Sequence, residues 1–297
     1  MFALNILVVI NRRAKGFNSK TVEEYLSILR TKGAKLDVNY PLSVEQTIKI
    51  LCGFKGYDLV IIGGGDGTVS LASQCLIHSN VPISVIPLGR GNTFYKVVYG
   101  DIKPKLLLEK ISRGFYTDSV DVGITDSGKT FVLGLSLGFM PKVVSTAERL
   151  RAFGGRTSYA ISAVLNMISN IRNILSTTIT IDNTSIFKGR ATLISIGNTP
   201  IRAGRFRLFP EASIKDGFLD VLIIREVNRI ETLRLFRKIL RGDHVKEPVV
   251  TYVKAQSIKI TLEKPALMEI DGDLIGFKNE VEVKCEPSSL LVARPYG

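Results

Sequence analysis

Short, wholly apolar runs alternate with amphipathic ones through the first third of the chain. Residues 5–10 (NILVVI) and 57–62 (YDLVII) offer almost no polar face, which predicts strands buried on both sides. Val22, Tyr25, Leu26 and Leu29 recur at helical spacing behind Thr21-Val-Glu-Glu24, which reads as a capping box, and the pattern stops at Gly33. Residues 35–40 predict a second strand, and Ser43-Val-Glu-Gln46 opens a second helix with the same capping logic. A third helix is expected over 68–78 and a fourth strand over 83–86. Pro104 suits the first turn of a helix running to Arg113. Strand and helix in regular alternation predict right-handed crossovers and a parallel sheet covered on both faces.

The rhythm changes after about Asp118. Apolar, β-rich runs follow at 119–124, 130–137, 175–181, 191–197, 218–224, 257–262, 267–270 and 281–285. Turns such as Asp126-Ser-Gly128 and Asp182-Asn183 mark antiparallel pairing. Helices are expected at 142–150, 158–172 and 229–241, and a last apolar run at 290–293 returns to the first domain. The predicted organisation is therefore an α/β domain over 1–118 plus 287–297 and a mostly β domain over 119–286.

Composition narrows the chemistry. The chain has 297 residues, enough for two domains with large cores and no need of disulfide or metal staples. Cys52, Cys75 and Cys285 are far apart with no CxxC, so a disulfide framework is not expected and a reducing compartment fits. Only His78 and His244 are present, which leaves little for zinc clusters or a Ser/His/Asp triad; His244 reads as a loop residue. The formal charge of +13 favours anionic partners: lipid headgroups, nucleotide phosphates or nucleic acid. No recognition helix or aromatic RNA-binding signature supports the last. The uncharged stretch 157–171 is too short to span a bilayer, and the N-terminus has the wrong polarity for a secretory signal, so a cytoplasmic chain is expected.

The strongest local signal is Ile61-Ile-Gly-Gly-Gly-Asp-Gly-Thr68 between a buried strand and a helix. Glycines let main chain approach an anion, and the helix start supplies N–H groups and the positive end of a dipole. Asp66 beside bound phosphates would need a divalent cation between them, which points to a metal–nucleotide site. A second loop, Pro87-Leu-Gly-Arg-Gly-Asn-Thr93, follows the next strand, and Asn11-Arg-Arg-Ala-Lys-Gly16 leaves the first strand at the same edge. Loops at the carboxyl ends of parallel strands converge on one crevice. Asp271-Gly272 reads equally as a tight turn or as a site, whereas Asp216-Gly217 reads locally as a turn. Arg149, Arg151 and Arg156, around Phe153-Gly-Gly155, could face anionic groups or water, and the 158–172 helix carries a core-like apolar side.

The order of these elements resembles the catalytic-domain family of diacylglycerol kinases, including bacterial soluble lipid kinases and the sphingosine and ceramide kinases. The resemblance runs over nearly the whole chain, through Asp121-Val-Gly123, Leu137-Gly-Phe139, Gly197-Asn198, Pro210-Glu-Ala212, Lys215-Asp-Gly217, Leu219-Asp220 and Asp271-Gly-Asp273. The GGDGT loop alone (Gly64 to Thr68) is shared with NAD kinases and 6-phosphofructokinases. The resemblance implies an α/β nucleotide-binding domain, a β-sandwich-like domain and an active site in the cleft between them. It implies ATP and Mg²⁺ as cofactors, with Asn11, Arg12, Arg13, Ala14, Lys15, Gly64, Gly65, Asp66, Gly67, Thr68, Val69, Ser70, Gly89, Arg90, Gly91 and Asn92 holding the nucleotide. Asp66 and Asp121 would organise catalytic Mg²⁺, and Asp216, with oxygens near Ser213 and Phe218, a structural Mg²⁺. Asp271 would be the general base toward a lipid hydroxyl, with Asp273 its rival. The implied partner is a lipid acceptor at an anionic membrane surface, the enzyme sitting peripherally and possible as a homodimer.

Three departures stand out. Thr93 replaces an acid of the family's glycine loop while Arg90 adds a cation; Ser70-Leu71 replaces Asn-Glu; Leu133 stands where Asn is common. The alternatives are therefore a soluble-substrate kinase related to NAD kinases, or a nucleotide- or lipid-binding protein without catalysis.

Overall fold

A computed structural model describes residues 4–151, 174–202 and 206–296, with the side chains of 147–151 and 229 excepted. Phe153-Gly-Gly155, Arg156 and the expected 158–172 helix lie outside the described residues, as do the side chains of Arg149 and Arg151. The chain divides into two units, 1–122 with 287–297 and 123–286.

In the first unit β1 (Asn5–Ile10), β2 (Lys35–Asn39), β3 (Leu59–Gly64) and β4 (Ile83–Pro87) pair in parallel in the order β2-β1-β3-β4. The wholly apolar runs are the buried strands: Ile6, Val8, Val9, Ile10 and residues 59–62 are without exposure. Helices α1 (Ser19–Arg30), α2 (Val44–Cys52) and α3 (Asp66–Leu76) follow the first three strands, and α4 (Thr93–Tyr99) and α5 (Pro104–Arg113) follow β4. The first helix starts earlier than its apparent capping box: Asn18, not Thr21, is the N-cap, its side chain accepting from Thr21 N at 3.0 Å. Ser43 caps α2, accepting from Gln46 N. The expectation of unpaired cysteines is corrected. The α2 and α3 helices bring Cys52 and Cys75 to a Cα separation of 4.8 Å, and they form a disulfide. Cysteine spacing therefore no longer supports a reducing compartment.

The strand β5 (Phe115–Thr125) leads into the second unit, whose pairing is antiparallel throughout. After β6 (Thr130–Phe131), β7 (Gly134–Gly138) and α6 (Phe139–Arg151) come β8 (Leu175–Ile181) and β9 (Thr184–Gly197). Then follow β10 (Leu219–Arg225), helix α7 (Arg229–Arg241), β11 (Val250–Ala255), β12 (Ser257–Ile270) and β13 (Asp273–Pro295). The long strands β9 and β12 each serve twice: their first halves pair with β8 and their second halves with β7. Two layers thus face each other across a core that includes Leu135, Ile179, Ile194, Val221, Ile260 and Val283. A second cluster, around Leu208, Phe209 and Leu222, forms under α7. His244, read as a loop residue, lies fully buried in a 3₁₀ turn, its Nε2 3.1 Å from the Leu208 carbonyl, and burial lowers its pKa.

Candidate active site

Three loops of the first unit are tied together by their main chains. Asn11 N donates to the Gly63 carbonyl at 2.8 Å, Leu88 N to Gly64 O at 2.8 Å, and Gly16 N to Leu88 O at 2.8 Å. The glycines are required by these approaches. A Cβ on Gly89 would stand 2.5 Å from the Gly65 Cα, and one on Gly64 would strike Thr68 Oγ1 at 2.4 Å. Asn11 Nδ2 reaches the same Thr68 hydroxyl at 3.3 Å, while its Oδ1 accepts from Arg13 N. Asn92 closes its own loop, accepting from Gly89 N at 2.8 Å and donating to Gly89 O at 3.0 Å, with φ at +49°. The N-cap of α3 is Gly65, which has no side chain to cap the helix. The 64–68 loop, the 89–92 loop and Asn11 therefore share one end of the parallel strands, with the main chain of the α3 N-terminus at its centre. Arg12 stacks over Tyr40 at 4.0 Å from the ring centroid, and Arg13, Lys15 and Arg90 are exposed.

Asp66 serves the fold as well. Its Oδ1 accepts from Phe94 N at 2.9 Å, opening α4, and its Oδ2 lies beside Gly91. With one carboxylate oxygen beside two glycine loops, Asp66 is a residue that could hold a Mg²⁺. Asp121 is buried and accepts from Ser288 N at 2.7 Å. Thr93, in place of the family's acid, is buried at the start of α4.

In the second unit, Asp271 and Gly272 form a two-residue turn between Ile270 and Asp273, with φ at +49° and +93°. The Asp271 carboxylate points inward. Oδ2 accepts from Val132 N at 2.8 Å, and Oδ1 from Leu133 N at 2.9 Å and Gly134 N at 2.8 Å. Arg202 lies 3.7 Å from the same Oδ1 and donates to Glu269 at 2.5 Å, while Glu269 accepts from Gly272 N at 2.9 Å. Arg202 and Glu269, both almost fully buried, escaped the sequence reading; a buried Arg and Glu 67 residues apart leave no local pattern. Asp273, across the turn, is exposed.

The Asp216 loop holds a different surprise. Ser213 Oγ accepts from Lys215 N at 3.2 Å, and Asp216 Oδ1 accepts from Phe218 N at 3.2 Å. Asp216 Oδ2 is ion-paired to the Lys254 ammonium, which also donates to the Glu211 carbonyl at 3.2 Å. The contact with Asp216 raises the Lys254 pKa, so the lysine is firmly charged. A protein cation thus stands against Asp216 Oδ2, the carboxylate that the resemblance gave to a structural Mg²⁺. Nearby, Tyr252 donates to buried Asp220, whose pKa burial pushes up to about 6.

Beneath α7 lies a small pocket, partly open to solvent and lined by apolar surface. Phe139, Met140, Phe206, Leu208, Leu235 and Phe236 are among its walls.

Residues 5–124 match the diacylglycerol kinase catalytic domain, and residues 134–294 match the YegS C-terminal NAD kinase beta sandwich-like domain. The diacylglycerol kinase of Mycobacterium tuberculosis strain H37Rv is 33% identical over 247 residues, covering 81% of this chain and 78% of its own. That of Staphylococcus carnosus is 29% identical over 224 residues, covering 74% and 71%. A crystal structure of a diacylglycerol kinase from Bacillus anthracis has a TM-score of 0.77 at 21% identity, covering 98% of this chain and 96% of that one. An NAD kinase from Archaeoglobus fulgidus in complex with ATP has a TM-score of 0.56 at 13% identity, covering 98% and 94%. Identities this low speak for the fold alone. The domain matches and the diacylglycerol kinase relatives define a kinase, a phosphotransferase with an alcohol group as acceptor. The chain belongs to the diacylglycerol kinase family.

Proposed function

We propose that this chain transfers the terminal phosphoryl group of ATP, with Mg²⁺, to the hydroxyl of a diacylglycerol-like lipid, working peripherally at an anionic membrane surface. Among the described residues no helix is long and apolar enough to cross a membrane. The main-chain N–H groups at 64–70 and 89–92 bind the polyphosphate, with Asn11, Arg12, Arg13, Ala14 and Lys15 beside them. Asp66 and Asp121 would hold the metal, which would neutralise phosphate charge. Phosphoryl transfer asks mainly for such positioning and charge neutralisation, plus a carboxylate to take the hydroxyl proton. The turn at 271–273 supplies that carboxylate, Asp271 first and Asp273 as its rival.

The observation that carries the lipid assignment is the apolar cavity of the second unit, a wall of Phe, Met and Leu side chains suited to an acyl chain and not to a polar metabolite. Incubation with γ-labelled ATP, Mg²⁺ and either short-chain diacylglycerol or NAD tests this. Label is expected in the organic extract. Label in NAD would move the chain to the soluble-substrate kinases, and label in neither would leave a binding protein. Asp271→Asn is expected to lower kcat by roughly 100-fold or more with ATP binding retained. Its three amide bonds make a urea melt a necessary companion. Normal turnover in that variant would pass the base role to Asp273.

A further inference from the structure

The α7 helix is apolar on two sides, and among the described residues only one is covered. Leu235, Phe236 and Ile239 face the cavity. On the other side, Ile230, Leu233, Arg234, Arg237, Leu240 and Arg241 recur at spacings of three, four and seven, which places them on a single stripe along the helix. All six are exposed, Ile230 by 81%, Leu233 by 49% and Leu240 by 42%. The stripe contains no acid. Glu231 lies off it and is engaged in the capping box with Asn228, and Glu247 pairs with Lys238, also off the stripe. Large aliphatic side chains alternating with guanidinium groups are a poor surface for water alone. A solvated helix face usually mixes charges of both signs and few side chains of this size.

We propose that this stripe is the face by which the second unit docks on an anionic lipid bilayer, its three aliphatic side chains entering the headgroup boundary and its three arginines pairing with lipid phosphates. The proposal rests on the lipid-kinase reading and adds to it the surface that engages the membrane. Charge complementarity commits the partner. The stripe is purely cationic on a chain of net +13, and guanidinium groups match phosphate in a two-point geometry. Basic residues combined with aliphatic ones in the interface plane are what a surface-lying helix requires. Because α7 also walls the apolar cavity, docking there sets that wall at the acyl boundary where the acceptor resides.

Sedimentation with sucrose-loaded vesicles decides it. The probes are vesicles of phosphatidylcholine alone and of phosphatidylcholine mixed with phosphatidylglycerol. The unmodified chain is expected to prefer the anionic vesicles. Arg234→Gln/Arg237→Gln/Arg241→Gln is expected to weaken that binding by roughly 100-fold, and Ile230→Ser/Leu233→Ser/Leu240→Ser to weaken it by at least about tenfold. Both variants should keep the thermal midpoint and the turnover of a monomerically dissolved short-chain diacylglycerol. Vesicle binding unchanged in both variants would overturn the proposal. So would a dimer in sedimentation equilibrium that the aliphatic variant dissociates, since that assigns the stripe to a second copy. Absence of kinase activity on the dissolved lipid would overturn the functional reading instead, leaving the vesicle result to judge the docking face.

Discussion

Both units carry acids within glycine-rich turns, but the two sets are partnered differently. Around Gly64–Thr68 and Gly89–Asn92 the glycines press main chain against main chain, and the α3 start has no side-chain cap. In the second unit three acids are met by the protein's own donors and cations. Asp271 takes three amide bonds and faces Arg202, Glu269 binds Arg202, and Asp216 binds Lys254. An Asp-Gly pair fixes a turn in either case. What the carboxylate then does depends on whether a distant cation has been folded against it, and a short motif holds no record of that.

The largest test of this contrast is Arg202→Met. It leaves Glu269 and Asp271 buried without their cation and is expected to cost about 3–5 kcal/mol in urea unfolding. A loss below about 1 kcal/mol would mean the amides alone hold the acids.

The next concerns Asp220, pushed by burial from 3.8 up to about 6. The native state keeps that proton longer than the unfolded chain, so stability falls as pH rises through this window, by up to about 3 kcal/mol. Asp220→Asn should flatten the limb in urea melts between about pH 4 and 6. An unchanged slope would place the effect on other carboxylates.

The smallest effect sharpens the contrast most. Lys254→Met removes a partly exposed ion pair and is expected to cost about 1 kcal/mol. It also leaves Asp216 and the Glu211 carbonyl without that ammonium. Without nucleotide, the variant's melting temperature should rise with millimolar Mg²⁺ more than that of the unmodified chain. An equal response in both would show that the lysine does not stand in for a metal.

Local pattern carried the regular elements well. Pro104–Arg113, Leu175–Ile181 and Arg229–Arg241 begin and end where apolar spacing, proline and capping place them. Helix α4 was invisible because Thr-Phe-Tyr-Lys-Val-Val-Tyr is rich in strand-forming residues and its N-cap, Asn92, is left-handed. Tertiary anchoring by Asp66 overrides that propensity. The two apolar runs at 257–262 and 267–270 are one strand, β12, because Pro265 falls where its register shifts instead of ending it. Among candidate site residues, the glycine loops were legible since strand, loop and helix lie within a few residues of one another. The partners Arg202 and Lys254 were not, being brought to Glu269 and Asp216 across 67 and 38 residues of chain.

Amide hydrogen exchange with and without ATP and Mg²⁺ tests the central claim most directly. The account predicts slowed exchange at 64–70 and 89–92 and little change at 213–218. Protection absent from both glycine loops, with nucleotide demonstrably bound, would contradict it.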